Sequence, residues 1–106
     1  MGSSQVKGSL DLLLMGVLRD GPAHGYGIIC GLRERSDGAF DLAEGTIYPA
    51  LHRLEENGLI SSSLALANGR RRRTYALTAK GRRAFAAQRT EWFGFVAGMT
   101  AVVGTA

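Results

Sequence analysis

The chain has 106 residues, a length that suits one domain and excludes a barrel enzyme or a two-domain dinucleotide fold. Hydrophobic residues make up 45% and charged residues 21%, a globular rather than a disordered mixture, and the single cysteine excludes a disulfide framework or a four-cysteine zinc site. Charge is unevenly placed: residues 1–69 carry a net −3 and residues 70–106 a net +7, which together make the formal +4. A concentrated basic segment suits a polyanionic partner, with a solvated charge run as the plainer alternative.

The polar, glycine-rich residues 1–8 read as a flexible N-terminus without a secretory signal. The first helix is expected from Ser9 as N-cap, with Asp11 in its opening turn and Leu10, Leu13, Leu14, Val17 and Leu18 at helical spacing, ending at Asp20-Gly21-Pro22. A second short helix is expected over Ala23 to Arg35. Gly27 and Gly31 lie on one of its faces, where another helix would approach closely, and Cys30 reads as a small buried hydrophobe. Ser36-Asp37-Gly38 ends it.

The third helix is the clearest. Ile47, Ala50, Leu51 and Leu54 form a narrow apolar stripe, and Tyr48, Pro49, His52, Arg53 and Glu56 occupy the opposite side. Thr46 reads as its N-cap, which places Pro49 in the first turn, and Asn57-Gly58 as its end. Leu59–Leu66 and Arg72–Leu77 read as strands joined by Ala67-Asn68-Gly69, in which Asn68 and Gly69 both accept positive φ. Thr78 caps a last helix. In it Phe85, Trp92 and Met99 form one seven-residue series and Gln88, Phe95 and Val102 another, interleaved as an a/d seam.

Helix, helix, helix, hairpin, helix is a mainly α chain with a small β-hairpin, the order of a winged helix-turn-helix (9–78) followed by a C-terminal dimerisation helix (79–106). Double-stranded DNA is the expected partner, with the third helix in the major groove and the wing on the backbone or the minor groove. Thr46, Tyr48, Pro49, His52 and Arg53 are the candidate contacts on that helix, although Arg53 could instead pair with Glu55 or Glu56. On the wing the candidates are Arg70, Arg71, Arg72 and Arg73. Strand alternation puts Arg71 and Arg73 on the side of Tyr75 and Leu77, and Arg70 and Arg72 on the other. His24 and Tyr26, beside free amides at the start of the second helix, are further phosphate candidates.

Phe85, Gln88, Trp92, Phe95, Val96, Met99 and Val102 are the expected homodimer interface. Trp92, Phe95 and Val96 either pack there or frame a gap for a flat apolar or aromatic small molecule. The uncharged tail Trp92–Ala106 is too short for a membrane span, and the cytoplasm is the expected location. No metal or cofactor site is expected and no enzyme motif is visible, His24 and His52 standing apart from any nucleophile.

Gly21-Pro22-Ala23-His24-Gly25-Tyr26, Gly45-Thr46-Ile47-Tyr48-Pro49-Ala50-Leu51-His52-Arg53-Leu54-Glu55, Gly58-Leu59-Ile60 and the run Gly69 to Arg82 together resemble the PadR family of bacterial transcriptional regulators. The likeness covers about residues 8–83, and the middle block is the most specific. It implies a homodimeric winged-helix repressor of the short, single C-terminal helix type, bound to operator DNA and released by a small-molecule effector. Gly27, Leu64 and Thr74 depart from the glutamate, tryptophan and tyrosine frequent at those places. The rival readings are a winged-helix protein-interaction module and a regulator without a ligand.

Overall fold

Helix α1, Gly2–Leu18, is the platform on which the other helices and one strand of the sheet pack. The computed structural model describes residues 2–105, with side chains described from Ser9 onward except at Ala67. α1 starts at Gly2 rather than near Ser9, so the segment expected to be flexible joins the helix from Gly2; Met1 lies outside the described residues. No proline precedes Pro22, and Gly8 alone, at about 1 kcal/mol relative to alanine, does not stop a helix already propagating. Leu10, Leu14, Val17 and Leu18 are buried as their spacing predicts. Met15, outside that spacing, is fully buried with them.

Ala23–His24 form a two-residue strand, β1, and α2 follows at Gly25–Arg35, two residues later than its expected start. His24 caps α2: its Nδ1 accepts from the Gly27 amide at 2.8 Å. The two glycines with a shared face have different neighbours. A Cβ on Gly31 would stand 3.3 Å from Val17 of α1, the close helix approach expected, whereas one on Gly27 would meet the His24 ring of its own cap. Cys30 is half-buried rather than buried, and its Sγ lies 3.9 Å from Arg33 Nη2.

Helix α3, Glu44–Glu56, begins at Ala43 as N-cap with no side-chain cap bond, not at Thr46. The Thr46 and Ile47 amides both reach the Ala43 carbonyl, and Glu44 in the first turn suits the helix dipole. Pro49 therefore falls in the second turn, where its missing amide leaves the Gly45 carbonyl to solvent on an exposed helix start. The helix closes with Leu59 N–H on Leu54 O and Gly58 N–H on Glu55 O.

The hairpin consists of β2, Ile60–Ala67, and β3, Arg70–Leu77. Asn68 (φ 54°) and Gly69 (φ 75°) form its two-residue turn, whose twist suits the flanking strands. Strand β3 starts two residues earlier than expected because this tight turn extends the pairing to Ala67↔Arg70. β1 adds along the other edge of β3 (Ala23↔Tyr75, His24↔Thr74), giving the antiparallel order β1-β3-β2.

Helix α4, Ala79–Val103, is capped as expected by Thr78, whose Oγ1 accepts from the Gly81 amide at 3.0 Å. The same hydroxyl donates to Gly58 O, and Lys80 Nζ donates to Asn57 O at 2.8 Å, so α4 is anchored on the α3–β2 turn. It ends at Val103, short of the expected 106; Ala106 lies outside the described residues. The core joins α1, α2, α3 and the inner sheet face through Leu14, Ile28, Ile47, Leu51, Leu54 and Ile60, each at 2% exposure or less. Among the described residues no helix is long and apolar enough to cross a membrane.

Candidate nucleic-acid interface

The stripe of α3 is spent inward: Ile47, Ala50, Leu51 and Leu54 are all buried. That orientation turns Thr46, Tyr48, Pro49, His52 and Arg53 to solvent, as the spacing predicts. Two of these side chains already have partners. His52 Nε2 lies 3.0 Å from Glu56 Oε1 one turn along the helix, and Arg53 Nη2 lies 2.8 Å from Asp11 Oδ1 of α1. The pairing considered for Arg53, to Glu55 or Glu56, is replaced by one 42 residues away in sequence. Glu55 instead accepts from Ser62 Oγ at 2.6 Å.

Beside α3, the start of α2 and the base of the wing enclose an open cleft of about 330 Å³ lined by His24, Gly25, Tyr26, Tyr48, Arg72, Arg73 and Tyr75. Gly25 makes this arrangement possible, because a Cβ there would collide with the Tyr48 ring and hydroxyl. Of the two candidate tyrosines Tyr26 is the more exposed, and Tyr48 leans into the space that Gly25 leaves. In the neutral His24 ring, the cap bond to Nδ1 places the proton on Nε2, which makes that atom a donor. Burial, above all, pushes the Tyr75 phenol above its ordinary range, with the Arg73 charge opposing, so it stays a neutral hydroxyl. The cleft thus gathers phenols, an imidazole and two guanidiniums, a set suited to the oxygens of a phosphodiester.

Arg70, Arg71, Arg72 and Arg73 are all exposed on β3. Arg73 is steadied by donating from Nη1 to Ser62 Oγ at 2.8 Å, which links it through Ser62 to Glu55 of α3. Two members of the site carried no sequence signal of their own role. Gly25 stands in the sequence only as a member of the Gly21-to-Tyr26 block, and Tyr75 only as a strand residue on the side of Arg71 and Arg73; the place of Gly25 directly before Tyr26 is the available clue.

Elsewhere on the surface α4 exposes Trp92, Phe95, Met99 and Val102, while Gln88 and Val96 are half-buried. Phe85 differs from the rest of that series, since its ring packs on the chain's own core and stands 3.7 Å from where a Cβ on Gly16 would lie. Phe93, unremarked in the sequence, packs edge-on to Trp92 at 5.8 Å and under the Arg89 guanidinium at 4.8 Å. Between α1 and α4 lies an open groove of about 590 Å³ lined by Ser9, Asp11, Leu12, Gln88, Glu91, Trp92 and Phe95. Val96 is not among its lining residues.

The family model described as the transcriptional regulator PadR-like family matches residues 14–87. The chain is 42% identical over 57 residues to transcriptional regulator Rv3488 of Mycobacterium tuberculosis, a segment covering 54% of this chain and 53% of that protein. It thus spans about half the length of that curated relative. Among solved structures it is similar to a PadR family transcription regulator from Clostridium difficile R20291 (32% identity, TM-score 0.80, covering 91% of this chain and 99% of that one). It is also similar to Bacillus subtilis PadR in complex with operator DNA (25% identity, TM-score 0.68), over 74% of this chain and 45% of that one.

Proposed function

Because this chain belongs to the PadR-like family of transcriptional regulators, we propose that it binds double-stranded operator DNA as a homodimer and represses transcription until a small molecule releases it. The observation that carries the DNA reading is the cleft beside α3. Tyr26, Tyr48 and His24 meet Arg72 and Arg73 there, next to a helix whose whole outer face is free of core duties. Phosphates seated at the cleft and along the wing would set the register, and Thr46, Tyr48, Pro49, His52 and Arg53 would meet the major groove. His52 and Arg53 act there by exchanging Glu56 and Asp11 for DNA, or stay with those partners and hold the helix in place.

The exposed stripe of α4 supports self-association, since among the described residues nothing covers Trp92, Phe95, Met99 and Val102. The α1–α4 groove supports an effector site at Trp92 and Phe95 for a flat apolar or aromatic molecule.

The test is a fluorescence-anisotropy titration against DNA from upstream of the chain's own gene and against a scrambled duplex. A preference of about 10³-fold with a two-fold-symmetric footprint is expected of a specific operator. Absence of binding to either duplex would overturn the proposal. Quenching of Trp92, the sole tryptophan, by planar aromatic compounds that also release the DNA would locate the effector.

A further inference from the structure

The wing carries two leucines that its own fold does not use. Leu64 and Leu66 are 55% and 77% exposed. They lie opposite Arg73 and Arg71, so all four share the sheet face that farther in carries the buried Tyr75, Leu77 and Ile60. The other face of β2 holds only Ser61, Ser63 and Ala65 among side chains described. Apolar bulk is therefore sorted to one side of a strand that is wet on both sides.

That side is the one turned toward α3, because Ser62 on it donates to Glu55. At about 3.4 Å per residue, Leu66 stands roughly 14 Å beyond Ser62, out along the wing. The side chain of its cross-strand neighbour Arg71 makes no hydrogen bond or ion pair among the described residues, whereas that of Arg73 is tied to Ser62. The wing tip thus presents a leucine and an unengaged guanidinium side by side, within a run of four arginines.

We infer that Leu66, supported by Leu64, is an apolar contact to the deoxyribose walls of a DNA minor groove and holds Arg71 in that groove. This rests on the DNA-binding reading above and extends it to a specific surface. The charge complementarity of four arginines selects a polyanion, and the minor groove supplies both parts of the match. Its walls are sugar C–H groups, and its narrow A·T-rich stretches concentrate the negative potential that draws arginine. Leu66 excludes water from the sugars and removes freedom from the Arg71 side chain opposite it. The consequence is a preference for A·T-rich sequence beside each half-site, read through groove width.

The test compares the full chain with Leu66→Ser and Arg71→Ala on the upstream duplex and the scrambled duplex, between about 50 and 200 mM salt. Leu66→Ser should weaken binding about tenfold at every salt concentration with an unchanged log–log slope, because a leucine releases no counterion. Arg71→Ala should flatten the slope by about 0.9 per protomer, about 1.8 for a dimer on both half-sites. Netropsin, which fills A·T minor grooves, should compete with the wild type and lose its effect on a variant carrying both Leu66→Ser and Arg71→Ala. Leu66 is exposed, so the variant's thermal unfolding should match the wild type and separate misfolding from lost contact. Binding by Leu66→Ser within twofold of the wild type overturns the inference while leaving DNA binding intact. So does a Leu66→Ser variant whose only change is in oligomer mass, which would assign the leucines to a protein contact. A wild type that binds neither duplex overturns the DNA reading and this inference together.

Discussion

Helix α3 puts Ile47, Ala50, Leu51 and Leu54 against the chain's own core at 1% exposure or less, whereas α4 leaves Trp92, Phe95, Met99 and Val102 at 43, 60, 48 and 88%. Both helices have an apolar stripe at regular spacing. The stripe of α3 is satisfied within one chain, so its opposite face is free to meet a partner and to be held at a fixed angle while doing so. The stripe of α4 is satisfied only along its first turns, where Phe85 reaches the core and Lys80 and Thr78 tie the helix to the α3–β2 turn. Beyond them the helix runs along the groove it shares with α1, and Trp92, Phe95, Met99 and Val102 stay exposed. One helix builds the domain; the other keeps an exposed apolar surface, the one assigned above to self-association.

The largest effect that tests this contrast is on the α3 side. Leu51→Ala removes a fully buried side chain from the centre of the core and should cost about 2–5 kcal/mol, measured as a lowered urea midpoint. A smaller loss would mean that the core collapses around the gap. On the α4 side, Phe95→Ser should weaken self-association by roughly tenfold to a hundredfold in sedimentation equilibrium. If its association is unchanged, the contrast between the two helices fails, because the exposed stripe would then have no partner copy.

A smaller effect is expected where α3 meets α1. The Arg53–Asp11 pair is half-exposed, so a double-mutant cycle with Arg53→Ala and Asp11→Ala should give a coupling of only about 0.2–1 kcal/mol in urea unfolding. A coupling of zero would show that Arg53 is idle in the free protein. The smallest effect concerns Tyr75, whose phenol is held above the ordinary value of 10.0 chiefly by burial. Above that value the unfolded chain loses the proton and the folded chain keeps it. Stability should therefore fall as pH rises past about 10, and be unaffected by this group below it. Tyr75→Phe should remove that decline from the pH dependence of the urea midpoint.

Legibility followed the range of the signal. The stripe of α3, the Asn68-Gly69 turn, the Thr78 cap and the exposed arginine run are all visible in a few consecutive residues, and each is where the spacing puts it. Boundaries were less legible. α1 extends back to Gly2 and α3 begins at Glu44 after an Ala43 N-cap with no side-chain cap bond, because helix propagation does not wait for the best capping residue. β1 is two residues long and left no periodicity to read.

The sequence by itself determined the winged-helix order, the inward face of α3, the basic wing and the family, because helical spacing, turn chemistry and charge runs are local properties. Only the tertiary structure decided the partners. It gave Arg53 to Asp11, made His24 the cap of α2, seated Tyr48 over Gly25 and linked Arg73 through Ser62 to Glu55. Those are meetings between residues far apart in the chain or on different elements. Sequence spacing alone does not choose among several available carboxylates or hydroxyls; the packing angle of the helices and the strand register do.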